Sequence, residues 1–201
     1  HIGLGNVAHW RAQCLLTVIP VNPEDLEAAE PLVEEAVRYY ETGQRLAAAD
    51  ADNRYVYTVS TLAMAPAYQL EANIAIRRGE LAPEQAEEWF ARAAAAIAAG
   101  EAVLAEALEQ PPANDYYYRL LARTYLTQGN LLALKALLLY TQYDNAGYNQ
   151  AISDAIAAYE GCEAQANNVF ADVYLKEELI PRFCTFEKEK LAALPVLPDI
   201  E

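Results

Sequence analysis

Start and stop signals recur along this chain about once per helix length, and the connections between them are short. That punctuation constrains the fold more than any other feature. Short connections force successive helices to lie antiparallel against one another. A first segment runs from Ile2 to about Val18 and stops before Pro20. Asn22 then stands as an N-cap, with Pro23 at the first helical position and Glu24 and Asp25 at the positive end of the helix dipole. Leu26, Ala29, Val33, Ala36, Val37 and Tyr40 follow at helical spacing, with a kink or restart expected at Pro31.

The same reading continues to the C-terminus. A third helix covers Arg54 to Arg78, bent at Pro66, and Pro83 opens a fourth that Pro111-Pro112 stops. Asn114 caps a fifth that ends at Gly129, and Asn130 caps a sixth that ends near Asp144-Asn145. A seventh carries Tyr148, Ile152, Ala155 and Tyr159 and ends at Gly161. An eighth starts near Glu163, carries Val169, Phe170, Val173 and Tyr174, and bends at Pro181. The expected fold is therefore all-α, with about eight helices in four antiparallel hairpins over roughly 2–49, 53–110, 114–144 and 146–194. One domain is drawn over 1–194, with an irregular tail at 195–201 lying along the surface or disordered. A right-handed solenoid and a closed helical bundle both satisfy this pattern.

Composition agrees with helix. Hydrophobic residues make up 54% of the chain, much of it alanine, and β-branched residues are sparse. The formal net charge of −15 argues against nucleic acid and against anionic membrane surfaces, because both need clustered Lys and Arg. The longest apolar run, Leu131 to Tyr140, is broken by Lys135 and is too short to span a bilayer. The chain begins at His1 and reads as a processed or trimmed product. Its compartment stays open between the cytoplasm and export with a signal peptide removed.

Metal and redox signals are thin. Cys14, Cys162 and Cys184 have no metal-ligand spacing, and their disulfide status is undecided between buried thiols and one bridge. His1 and His9 are the only histidines, which leaves little for zinc sites or imidazole catalysis. No cofactor, catalytic residue or metal ligand is expected. Ser60 and Ser153 are isolated within helical segments, and Gly3-Leu4-Gly5-Asn6 lacks the strand that a nucleotide loop requires. The paired glutamates lie on outer faces. Glu71 stands apart, since it falls among Leu70, Ala72 and Ile74, and Arg77, Arg78 or solvent is its expected partner.

Tyr118, Leu121, Ala122 and Tyr125, followed by Gly129, resemble the first helix and turn of a tetratricopeptide repeat. The second helix departs from that pattern at Leu134 and Thr141. Weaker echoes are Tyr68, Ala72 and Gly79, and Trp10 with Cys14. The resemblance implies a concave groove lined by particular first-helix positions. Phased on Tyr118, these are Tyr116, Arg119, Arg123 and Thr127; on Tyr68, Gln69, Asn73 and Arg77; on Trp10, Arg11. Four of the chain's ten arginines then gather on one face of an acidic protein, as in grooves that grip carboxylates. The resemblance thus implies a non-enzymatic module for a peptide, a partner protein or a small anionic ligand. Two other classes stay open: a helical ligand-pocket protein or enzyme component with a closed apolar cavity, and a structural oligomer subunit.

Overall fold

The computed structural model describes residues 1–17, 22–49, 54–78, 83–109, 115–169 and 182–198. Among them it is all-helical, without a strand, and has seven α-helices. These are α1 (Ile2–Thr17), α2 (Pro23–Ala48), α3 (Arg54–Arg78), α4 (Pro83–Leu108), α5 (Asp115–Thr141), α6 (Asn145–Asn167) and α7 (Phe186–Ala192). The chain divides into two compact units, His1–Val103 and Leu104–Glu201.

In the first unit, α2 packs against both α1 and α3. Gly5 meets Tyr40 while Cys14 and Leu15 share a hollow with Asp25 and Leu32, so α1 and α2 run antiparallel. Gly43 meets Ser60 and Glu30 pairs with Arg78, so α2 and α3 do the same. Leu62 faces Gly100 and Tyr68 faces Arg92, which sets α4 antiparallel to α3. Val33, Ala36 and Tyr40 on α2, and Ala67, Ala72 and Ile74 on α3, are buried. The alanines let the helix axes approach closely.

In the second unit α6 lies antiparallel to α5 and also touches α7. A disulfide joins Cys162 on α6 to Cys184 and sits in a cluster with Ala122, Ala166 and Val169, against which Tyr118 and Tyr125 pack. Cys14, which lies in the first unit, is outside the bridge and exposed. Asp144 caps α6 by accepting from the Gly147 amide at 2.9 Å. The described part of the tail, 195–198, is irregular and is pinned to α6. The Asn149 amide donates to the Leu197 carbonyl at 2.8 Å and its oxygen accepts from the Leu197 N–H at 3.0 Å.

Two expected helix ends do not occur. Gly129 and Asn130 lie inside α5, so the fifth and sixth helices are one, and their hairpin at 114–144 is replaced by the pairing of α5 with α6. Gly161 lies inside α6. The reason is packing. A Cβ at Gly129 would stand 2.5 Å from Tyr159 Cε1, and one at Gly161 would stand 2.8 Å from Tyr125 Cδ1. These glycines admit a tyrosine ring against the helix backbone. Pro31 and Pro66 sit inside continuous helices, so no helix restarts at Pro31. The expected cap Asn114, and Phe170, Val173, Tyr174 and Pro181 of the expected eighth helix, lie outside the described residues.

One clasp recurs in both units. In the first, the Tyr40 ring lies on Gly5 of α1 and its hydroxyl donates to Asn6 Oδ1 at 2.9 Å. In the second, the Tyr159 ring lies on Gly129 of α5 and its hydroxyl donates to Asn130 Oδ1 at 2.9 Å. Both tyrosines are almost wholly buried, and burial pushes the Tyr40 hydroxyl up to about 12. A buried hydroxyl without a partner would cost about 1–3 kcal/mol, so the asparagine lets an aromatic ring fill the helix contact.

Candidate functional site

A hollow of about 380 Å³ opens between α2, α3 and α4 of the first unit. Such a volume suits a small ligand or one side chain. Helical spacing builds its walls. Glu30, Val33 and Glu34 come from α2; Glu71, Ile74, Ala75 and Arg78 from α3; Trp89 and Arg92 from α4. Each set repeats at three or four residues, so each lies on one helix face.

The polar lining is only partly self-satisfied. Arg78 donates to Glu30 Oε2 at 2.9 Å. The Arg92 guanidinium lies 4.2 Å from the centre of the Tyr68 ring, close enough for cation–π attraction. Its Nη1 stands 3.6 Å from Glu71 Oε2, an ion pair too long to be a hydrogen bond. Glu71 Oε2 is buried and has no hydrogen-bond partner within the protein. Burial raises the Glu71 carboxyl above the usual carboxylate range, Arg92 pulls it back, and Glu34, Glu41 and Glu30 push it further up. The expectation that Glu71 pairs with Arg77 or Arg78 is thus corrected: its cation is Arg92. Arg77 donates instead to Asn73 at 2.7 Å.

The residues expected to line a groove fall into two sets. Arg11, Gln69, Asn73 and Arg77 belong to the first unit, and Tyr116, Arg119, Arg123 and Thr127 to the second. Gln69, Asn73 and Arg77 share a face of α3, but it lies roughly 150° around the helix from the face that lines the hollow, at about 100° per residue. Arg11 lines a separate hollow with Trp10, Cys14, Leu15, Asp25 and Leu32. Tyr116, Arg119, Arg123 and Thr127 share one face of α5, where the Thr127 hydroxyl donates to the Arg123 carbonyl at 3.0 Å. Tyr116 packs edge to face against Tyr117.

Sequence reasoning missed Trp89, Arg92, Glu30 and Glu34. The available signal was weak: a tryptophan and an arginine three apart on an alanine-rich helix. Ser60 is fully buried beneath Gly43, so it offers no accessible nucleophile. Among the described residues no group of three His, Cys, Asp or Glu side chains is placed to hold a metal ion. No helix among them is long and apolar enough to cross a membrane. Comparison with known protein families, with characterised proteins and with solved structures finds no match.

Proposed function

We propose that this protein is a non-enzymatic binding module, and that the hollow between α2, α3 and α4 receives a small charged ligand or a side chain of a peptide or partner protein. The observation that supports the reading is the hollow itself, whose lining brings three carboxylates, two guanidinium groups and the Trp89 indole together. The hollow opens to solvent, since the Glu30 and Arg92 side chains are 49% and 41% exposed. That openness favours reversible binding over a closed catalytic cavity. Stacking of the helices as a short solenoid is part of the proposal.

The scaffold reading draws on a different feature. Leu4, Val7 and Trp10 are 55%, 58% and 70% exposed along α1, an apolar strip suited to protein contact.

Tryptophan fluorescence tests the main proposal. The chain has two tryptophans, so a Trp10→Phe variant leaves Trp89 as the sole reporter. A screen of charged small molecules and short peptides should yield ligands that shift Trp89 emission and raise the melting temperature. Ligands that stabilise the protein yet leave Trp89 unmoved would place the binding site elsewhere. A screen that yields none would remove the proposal.

A further inference from the structure

We infer that the loop end of the α5–α6 hairpin is a docking seat for an extended peptide segment of a partner protein, one that presents a large apolar residue followed by proline. Leu197 and Pro198 of the chain itself occupy this seat as a strap. The seat belongs to the second unit and does not depend on the hollow in the first.

The strap shows the chemistry that the seat takes. Asn145 and Asn149 are four apart at the start of α6, so their amides lie on one face. Asn149 pairs with both backbone groups of Leu197, donating to its carbonyl at 2.8 Å and accepting from its N–H at 3.0 Å. Asn145 donates to the Pro198 carbonyl. These bonds take every backbone hydrogen-bonding group of the pair, because proline has no N–H. The Leu197 side chain packs on a cluster of Ala136, Tyr148 and Ala151, beside Leu139 and Ile152. A primary amide donates and accepts side by side, which matches an extended backbone. A helix interior has no free N–H and C=O to offer it. Backbone pairing then gives affinity, and the apolar contact gives selectivity.

The first unit shows how little covers the seat. Its contacts recur in the second at matching positions. Gly43 against Ser60 corresponds to the Cys162–Cys184 bridge, and Gln44 bonded to Thr61 corresponds to Glu163 bonded to Thr185. The Tyr40 and Tyr159 clasps fix the same register, on which Asn149 takes the place of Glu30. Glu30 meets Arg78, at the end of a long helix packed on α2. α7 stops at Ala192, and Asn149 meets only the irregular strap that follows. Where the first unit has a carboxylate for a helix arginine, the second has an amide for a backbone. Leu194 and Val196 of the strap are 42% and 82% exposed, so Leu197 is its anchor. Release of the strap would uncover Tyr148 next to Tyr140, whose ring lies 5.8 Å away and is already exposed.

The test uses the full chain and a fluorescein-labelled peptide copying residues 195–201. A tethered segment competes at an effective concentration of about a millimolar, so the parent should bind this peptide weakly. Leu197→Asp disables the strap and leaves the seat, and should tighten binding by roughly tenfold or more in fluorescence anisotropy. Adding Asn149→Ala should weaken it again by roughly tenfold to a hundredfold, the range for two neutral hydrogen bonds. A peptide with aspartate in place of its leucine should not bind. If Leu197→Asp perturbs the fold as seen by circular dichroism, the parent gives a second reading. There, unlabelled peptide well above about a millimolar should shift the Leu197 amide resonance as the strap is displaced. A folded Leu197→Asp protein that ignores the peptide, or a Leu197 resonance that stays in place, would overturn the proposal and leave the strap a structural contact. Tighter binding of a helical peptide copying residues 68–78 would make the groove a helix seat and overturn the extended reading. Parent dimers that the peptide breaks would assign the seat to a second copy and overturn the external partner.

Discussion

Replacing Gly129 by alanine should destabilise the second unit, although alanine is the better helix former. Inside α5 the substitution gains about 1 kcal/mol of helix propensity. The new Cβ, however, would lie 2.5, 2.7 and 2.8 Å from three carbons of the Tyr159 ring. Carbon atoms pack at about 3.5–4.0 Å, so the ring or the helix must move by roughly 1 Å. The ring has little room. Tyr159 is 1% exposed, packs in a cluster with Ala155 and Leu191, and is tethered through its hydroxyl to Asn130 at 2.9 Å. Overpacking of this kind costs about 1–3 kcal/mol, and loss of the tether adds about 1 kcal/mol. The net expectation is a loss of about 1–3 kcal/mol. Urea denaturation followed by circular dichroism measures it. Gly3→Ala is the control, because a Cβ there meets nothing within 4 Å and should be neutral or slightly stabilising. In a Tyr159→Leu background the cost of Gly129→Ala should largely vanish, since the two residues act through one contact. A Gly129→Ala protein as stable as the parent would refute the packing account and restore the reading of Gly129 as a tolerated turn residue.

Four further outcomes follow from particular contacts. Tyr40→Phe leaves the ring on Gly5 but removes the donor to Asn6, and should cost about 1 kcal/mol in the same denaturation assay. Glu71 has a raised folded-state pKa, so the protonated form is favoured by folding and stability is lost as pH climbs through that value. The groups that set it are Arg92, Glu34, Glu41 and Glu30, and Glu71→Gln should therefore raise the melting temperature at neutral pH and have little effect near pH 4, about where a free glutamate is half protonated. Glu163 behaves oppositely: burial opposes its charge, but hydrogen bonds from Lys188 and Thr185 hold its carboxyl below the usual range, so this contribution is present above the unfolded value and fades as pH falls, and Glu163→Gln should flatten the acid limb of the stability profile. Reducing the Cys162–Cys184 bridge, which closes a loop spanning 22 positions, should lower stability by about 3 kcal/mol in the chain-entropy account, checked by denaturation with and without reductant.

The sequence was informative where a signal is local. Pro23 marks the start of α2 and Pro83 that of α4, because a missing amide acts within one turn; Asn22 stands at the cap position of α2 but makes no side-chain cap hydrogen bond. The Asp144 turn is also local: a carboxylate three residues from a glycine amide, after Tyr143 at φ 61°. Gly129 and Gly161 were opaque for the opposite reason. A glycine that ends a helix and one that admits a ring look alike until the ring is found. Here the rings come from residues 30 and 36 positions away, on the partner helix. What could have given them away is the recurrence itself, since Gly-Asn precedes a Tyr-Glu pair in both units.

The hollow was hidden by a related ambiguity. Phasing α3 on Tyr68 through the tetratricopeptide resemblance selected the Gln69, Asn73 and Arg77 face. The face that does border the hollow mixes Glu71 and Arg78 with Ile74 and Ala75, a pattern that reads as the edge of a core. Whether such an edge is closed or open depends on what the next helix brings to it. α4 brings Trp89 and Arg92, and Arg92 settles over Tyr68 at 4.2 Å instead of closing on Glu71 at hydrogen-bond distance. If Tyr68 holds the guanidinium there, Tyr68→Leu should release Arg92 toward Glu71 and lower the pKa of the Glu71 carboxyl. A titration of Glu71 by nuclear magnetic resonance in that variant reads the change, and an unaltered titration would mean that the backbone of α4, not the ring, holds Arg92 away.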